Sequence, residues 1–463
     1  MSVVTVPVQD WAQQEFGTAK LGDLRRTKRL VKLATNMANH PSGSLPDQNE
    51  SWSDLKAAYN LFDEEDVTFA GIAAPHWRNT HQRLTGTPRV LVLGDTTETD
   101  FGIHREVDGL GSTGNGGGRG FLLHSAVAVH SQTDQVFGLL GQEVYYRQPA
   151  PKRENTTQRL KRARESEIWG RVIDTVGPPP EGTQYVHVLD RGADNYEVRC
   201  HVLEQRSEYV IRLAQKNRKV VNPQGREMPL KEFLKSLPTA GTYELDVPAG
   251  PGRPARKATM AVSYGTAEVK APAQKSAYVR QQGRATIAVQ IVWVRELNPP
   301  SKKEALEWIL ETTLPVESLT AAREVSGYYE KRWLIEEWHK AIKTGCGLEQ
   351  KQLKTGRRLE ALTAVVSVVA MRLIQLRAES RVAPERRASE VVPTLYISCL
   401  RAAGKLFGGE ATVRQFWRGL AKLGGFLGRK GDGEPGWITI WRGWEKLVLI
   451  VRGAEMGLAM QRK

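Results

Sequence analysis

The chain has 463 residues, 40% of them hydrophobic, enough for two or three globular domains with real cores. It carries 66 Lys and Arg against 51 Asp and Glu, a net charge of +15, which predicts attraction to a polyanion, nucleic acid before anionic membrane. Cys200, Cys346 and Cys399 are scattered, which excludes a disulfide framework or zinc knuckle and fits a reducing cytoplasm. The longest apolar runs, such as TAVVSVVAM from Thr363, are too short to span a bilayer, and MSVVTVPVQDWAQQ lacks the charge and apolar stretch of a secretory leader.

From Asp10 to about Thr80 the pattern is helical and basic. GDLRRTKRLVKLATNMANH offers Asp23 as an N-cap and then stacks Arg25, Arg26, Lys28, Arg29 and Lys32 on two turns, a density that favours contact with DNA phosphates. NHPSGSLPDQNESWSD reads as a loop leading to a second helix through Leu55, Tyr59 and Phe62.

Strands begin at Arg89. RVLVLGDTTETD is an apolar run ending in acids, followed by the strands FLLHSAVAVHS and QVFGLLGQEVYYR. GLGSTGNGGGRG between them lacks the ending of a phosphate loop and reads as a flexible hairpin connection. The helix ESEIWGRVIDTVG, the strand YVHVLDRGADN, the helix NYEVRCHVLEQ and the strand EYVIRLAQ give a β–α alternation, so the fold class is α/β. From about 216 to 300 short strands broken by Gly and Pro predict an antiparallel β insertion. The α/β pattern resumes with ALEWILETTLP, and beyond about Ser380 helices rich in Trp (Trp417, Trp437, Trp441, Trp444) run to the end.

The segment YYEKRWLIEEWHKAIKTG predicts one amphipathic helix. Tyr329, Arg332, Glu336 and Lys343, spaced by three, four and seven, fall within about a 60° arc and form a row about 20 Å long. Leu334, Ile335, Trp338 and Ile342 face the core. Such a face is often merely solvated, but one acid among cations also suits a polyanion, the acid holding a metal while its neighbours hold phosphates. Asp95 and Asp190 each end a buried strand, where side chains from distant sequence converge at a sheet rim. Asp95, Asp190 and Glu336 together would repel one another unless a hard cation neutralised them, which favours Mg²⁺ with Mn²⁺ as substitute. Two such ions about 4 Å apart would activate an attacking hydroxyl and stabilise the leaving 3′ oxygen. His339, one turn beyond Glu336, is either a further ligand or a hydrogen-bonding helix residue, and Cys346 has no His partner that would make it a nucleophile.

The order strand-Asp, strand-Asp, helix-Glu resembles that of the RNase-H-like D-D-E transposases and integrases. The Tyr-Arg-Glu-Lys string is similar to the hallmark of bacterial cut-and-paste transposases of the IS-four family. The similarity extends through DWAQQEF, LGDLRRTKRLV, GDTTETD, DRGAD, PPSKKEALEWILETTLPVESL, AKLGGF and WRGWEKL. It implies an RNase-H-like mixed-sheet catalytic core (76–380, with the β insertion at about 216–300), a helical transposon-end-binding domain (1–75) and a helical dimerisation domain (381–463). It implies Asp95, Asp190 and Glu336 as catalytic metal ligands, and Tyr329, Arg332 and Lys343 as phosphate-binding residues. Trp308 stands where the family stacks a displaced base. Arg212, with Lys216 and Arg218, is expected to face DNA. Gly192 departs from the Glu that the family often carries beside the second Asp. The expected activity is 3′ nicking, hairpin formation and resolution, and strand transfer of DNA bearing terminal inverted repeats into target DNA, by a homodimer in the cytoplasm. A metal-dependent nuclease without strand transfer and a catalytically silent DNA-binding derivative remain open alternatives.

Overall fold

Three of the four N-terminal helices begin where a short polar side chain accepts a hydrogen bond from an otherwise unpaired backbone amide. After α1 (Val8–Phe16), Asp23 accepts from the Arg25 amide at 2.7 Å and starts α2 (Leu24–Asn39), as expected. Ser51 starts α3 (Trp52–Asp63) and Thr68 starts α4 (Phe69–Arg83) in the same way. Their inward faces bury Trp11, Phe16, Leu30, Leu33, Phe62 and Ile72. The computed structural model describes residues 6–461 apart from 50, 103–106, 115–116, 148–150, 152, 156–157, 159–163, 248–253, 302–303 and 430.

β1 (Arg89–Asp100) is followed by a hairpin of β2 (Gly111–Thr113) and β3 (Gly118–His130), so the glycine-rich connection is partly strand. β4 (Val136–Tyr145) pairs with the far edge of β3. Next come α5 (Ile168–Val176), β5 (Gln184–Leu189), α6 (Tyr196–Glu204) and β6 (Glu208–Arg212), the alternation read from sequence. β1, β5 and β6 are parallel neighbours, which requires the helical crossovers between them.

The insertion comprises β7 (Lys219–Val221), β8 (Glu227–Pro229), α7 (Leu230–Ser236), β9 (Gly241–Val247), β10 (Arg256–Lys270), α8 (Ala277–Gln282) and β11 (Thr286–Leu297). It is antiparallel, as expected, but it is not a separate sheet. β12 (Glu307–Thr312) returns between β6 and β11, and among the described residues one twelve-stranded mixed sheet runs β2-β3-β1-β5-β6-β12-β11-β10-β7-β8, with β4 paired to β3 and β9 to β10 off that path. The observed architecture is the expected RNase-H-like α/β core with helical N- and C-terminal regions.

α9 (Leu319–Glu330) and α10 (Trp333–Lys340) cover one face of the sheet, and α11 (Gly356–Val382) lies beneath them. Residues 356–376 of α11 are, by length and composition, apolar enough to cross a membrane, contrary to the reading of TAVVSVVAM as too short. They are instead a core helix, 94% buried: the Trp338 indole donates to the Ser367 carbonyl at 3.2 Å and the Gln375 amide to Phe137 at 2.8 Å. α12 (Thr394–Ala402), α13 (Val413–Leu423) and α14 (Trp437–Gln461) complete the chain around Trp417, Trp437, Trp441 and Trp444, all buried. The divisions expected at 75 and 380 both fall inside helices, α4 and α11.

Candidate active site

Sheet register brings two of the expected acids together. Leu93 of β1 pairs with Val188 of β5, and Val188 with Val210 of β6. Two residues further along each chain, on the same face, stand Asp95, Asp190 and Arg212. Asp95 does not end its strand, as the sequence suggested: β1 continues to Asp100 against β3, and Asp95 lies just past the last residue that pairs with β5. Asp190 does follow its strand. Its carboxylate accepts from the Gly192 amide at 2.7 Å and caps a short 3-10 turn, Arg191–Ala193. A Cβ at Gly192 would lie 3.0 Å from the Trp169 ring, so this indole occupies the side of the turn where a longer side chain would begin.

The predicted single helix is divided. Around Lys331 the backbone shifts to i→i+3 bonds (Leu334 to Lys331, Ile335 to Arg332), which separates α9 from α10. Beyond Lys340 a π-helical turn, Ala341–Gly345, closes with the Cys346 amide on the Ala341 carbonyl at 2.8 Å. Leu334, Ile335, Trp338 and Ile342 are buried, as expected of the inner face. The expected straight row of Tyr329, Arg332, Glu336 and Lys343 is therefore spread over three segments, and two of its members are buried. The Tyr329 ring lies between two guanidinium groups, Arg212 at 5.8 Å and Arg332 at 5.9 Å from its centroid. Lys343 reaches Glu349 at 3.3 Å, beside the last residue of β1.

Arg332 sits at the joint of α9 and α10 and turns inward. Its Nη2 is 3.0 Å from Asp95 Oδ2 and its Nη1 3.6 Å from Glu336 Oε1. Burial pushes the Asp95 carboxyl up to about 6; Arg332 opposes the shift, and the charges of Asp190 and Glu336 add to it. Burial also works against the Arg332 charge, but Asp95, Tyr329, Asp190 and Glu336 more than compensate. Arg332 thus pairs directly with Asp95 and Glu336, and the charge of Asp190 is felt by both Asp95 and Arg332. His339 is buried, and burial, with Lys343 and Arg332 nearby, lowers its pKa to about 3. Its Nδ1 is 3.9 Å from Asp95, too long for a hydrogen bond.

Among the described residues no three His, Cys, Asp or Glu side chains stand close enough to hold a metal ion as they are. The donor set nonetheless suits a hard divalent ion: it is all oxygen, with Asp95 largely buried and Glu336 open to solvent, and two of its acids are already paired with a cation, the guanidinium.

Trp308, half-buried on β12, is on the same sheet face, one pair beyond the Leu310–Arg212 rung. Arg212 also donates to the Glu307 carbonyl at 3.0 Å, and Lys216 pairs with the Glu307 carboxylate. Arg218 does not face outward as expected: it donates to the Asp194 carbonyl at 2.9 Å and pairs with its carboxylate. That carboxylate belongs to a cluster the sequence reading missed. Asp194 ends the turn that Asp190 begins, and it is held by Arg199 at 3.0 Å and by the Ala214 amide at 2.8 Å. Arg199, wholly buried, pairs with the equally buried Glu311 at 2.5 Å. An acid inside the apolar run WILET was the available signal, since a charge buried in a strand needs a partner.

The N-terminal cations are less free than expected. Arg25 folds back on Asp23 at 2.7 Å, Arg26 pairs with Glu64 and Asp66, and Arg29 and Lys32 share Asp54 at 2.9 and 2.7 Å. Lys28 is exposed.

Strand carboxylates meeting a helical carboxylate on an RNase-H-like sheet define the class of D-D-E phosphoryl-transfer enzymes. Residues 106–371, more than half of the chain, match the Transposase DDE domain family. Residues 8–67 match the Transposase DNA-binding family and residues 368–461 the Transposase Tn5 dimerisation domain. The chain belongs to the DDE transposases, and its two flanking matches make it a Tn5-like one. Enzymes of this family generally use divalent metal ions. The DDE match begins at residue 106, beyond Asp95.

Proposed function

We propose that the protein carries out cut-and-paste transposition at a site made of Asp95, Asp190 and Glu336. What supports this reading is the pairing of Arg332 with Asp95 of β1 and Glu336 of α10, together with the β1–β5 register that sets Asp190 beside Asp95. Asp95, Asp190 and Glu336 would hold two Mg²⁺ ions, which would supply Lewis-acid activation of the attacking oxygen and stabilisation of the leaving one.

The chain's own residues bind and orient DNA. In the first step a water oxygen bonds to the phosphorus at the transposon end, and the 3′ oxygen leaves as a free hydroxyl. That hydroxyl then attacks the opposite strand, releasing the flank and closing a hairpin. A second water reopens the hairpin, and the freed 3′ hydroxyl joins target DNA. Arg332 and Lys343 clamp phosphates near the 5′ end of the non-transferred strand, and Arg212 holds Tyr329 beside them. Hairpin closure forces a terminal base out of the stack. Trp308, half-buried on β12, receives it by stacking, worth about 1–3 kcal/mol. The 8–67 region binds terminal inverted repeats, and a homodimer through the 368–461 region brings two ends together. The reaction takes place in a bacterial cytoplasm.

The test is a labelled linear duplex carrying candidate terminal repeats, incubated with protein and Mg²⁺ and resolved on a denaturing gel. Wild-type protein gives nicks and then hairpins; Trp308→Ala keeps the nick and loses about ten- to a hundredfold in hairpin yield. Cutting without hairpins in the wild type favours a nuclease, and binding without cutting, in Mn²⁺ as well, favours a silent DNA-binding derivative.

A further inference from the structure

Arg332 stands where the metal-binding oxygens point. Its Nη2 bonds Asp95 Oδ2 at 3.0 Å and its Nη1 reaches Glu336 Oε1 at 3.6 Å. Its side chain is only 10% exposed, and its Nε is buried with no hydrogen-bond partner among the described residues. A guanidinium does not give up its proton in a protein, so this charge is permanent. A divalent ion bonded to the same oxygens at about 2.1 Å would lie against that charge. Ion and guanidinium therefore compete for one set of carboxylates. A DNA phosphate offers the guanidinium a better-matched partner, because two of its nitrogens can bond two phosphate oxygens at once.

Building on the proposed metal site, we infer that Arg332 is a built-in counter-ion that keeps metal affinity low until a DNA end arrives. With DNA absent it neutralises Asp95 and Glu336. When a phosphate is seated, Arg332 exchanges carboxylate for phosphate and leaves the acids to the ion. Metal and DNA end then bind with positive coupling, and linkage makes the effect reciprocal. The device keeps an unengaged enzyme from holding a loaded site. It gives Arg332 a role in timing as well as in phosphate contact.

The test is Mn²⁺ titration of the full-length protein without DNA, followed by electron paramagnetic resonance of the free ion. Arg332→Gln binds Mn²⁺ about tenfold or more tightly than wild type, and Arg332→Lys, with a single point charge, falls between. A duplex with a 5′-phosphorylated end tightens Mn²⁺ binding by wild type but changes Arg332→Gln little. Without metal, Arg332→Gln melts below wild type, and Mn²⁺ restores it; a merely structural arginine would lower melting whether or not Mn²⁺ is present. Unchanged or weaker Mn²⁺ affinity in Arg332→Gln overturns the inference. Should that variant not fold, the same result in Arg332→Lys does so. If Asp95→Asn leaves Mn²⁺ affinity untouched in both the wild-type and the Arg332→Gln backgrounds, the metal-site assignment itself is wrong.

Discussion

At the scale of single residues, buried charges join parts of the chain that lie far apart in sequence. Glu15 of α1 bonds His76 Nδ1 of α4 at 2.7 Å and also pairs with Arg83, while His76 Nε2 accepts from the Leu139 amide of β4 at 3.1 Å. The helical module is thereby bonded to the sheet. Burial opposes the Glu15 charge, but His76 and Arg83 outweigh it and hold the carboxyl at about 2, against an ordinary 4.5. A depressed carboxyl stabilises the fold above its unfolded value and loses that contribution as pH falls, here from 4.5 towards about 2. Glu15→Gln is therefore expected to lower stability at neutral pH by about 1–3 kcal/mol. In urea unfolding the gap from wild type closes as pH falls through that window; a gap constant from pH 7 to pH 3 would contradict the assignment. Of the three proposed metal acids, Asp190 was read in its place after an apolar strand and Glu336 on the signature helix, whereas Asp95 stands inside β1 and not at its end. The partners of Arg332 were only half legible. Glu336 lies one helical turn away, whereas Asp95 is reached only through the sheet, which local sequence does not encode.

Among elements, close approach of backbones decides what is tolerated. α13 and α14 meet at Gly424 and Gly443: a methyl group on Gly443 would overlap the Leu420 carbonyl, and one on Gly424 the Thr439 carbonyl. Gly453, further along α14, meets nothing within 4 Å. Gly443→Ala is expected to destabilise the C-terminal helices by about 1–3 kcal/mol, and Gly453→Ala to stabilise α14 by about 0.5–1 kcal/mol. Thermal melting of the two variants in opposite directions checks the crossing; equal shifts would refute it. The β–α alternation and the strands of the insertion could be read from periodicity, because each is a local pattern. The return of β12 between β6 and β11, and the break of the signature helix at Lys331 and Ala341, could not. The first is a pairing between distant segments, and the second arises from changes of backbone hydrogen bonding within a continuous amphipathic pattern.

At the scale of the whole molecule, the DNA-binding region contacts both the catalytic core and the dimerisation region. Arg358 of α11 pairs with Asp63 of the helical module, Arg357 donates to the Asp63 carbonyl at 3.2 Å, and Ser42 donates to Glu445 of α14 at 3.0 Å. A net charge of +15 suits the long DNA contacts of such an assembly. The central claim is that Asp95, Asp190 and Glu336 form one metal-dependent site, and its most direct test is single-turnover nicking of a terminal-repeat duplex in Mg²⁺. Asp95→Asn, Asp190→Asn and Glu336→Gln are each expected to slow nicking about a thousandfold or more, with gel-shift affinity for the duplex and melting temperature retained. Nicking near the wild-type rate by any one of the three, with its binding and fold intact, would contradict the account.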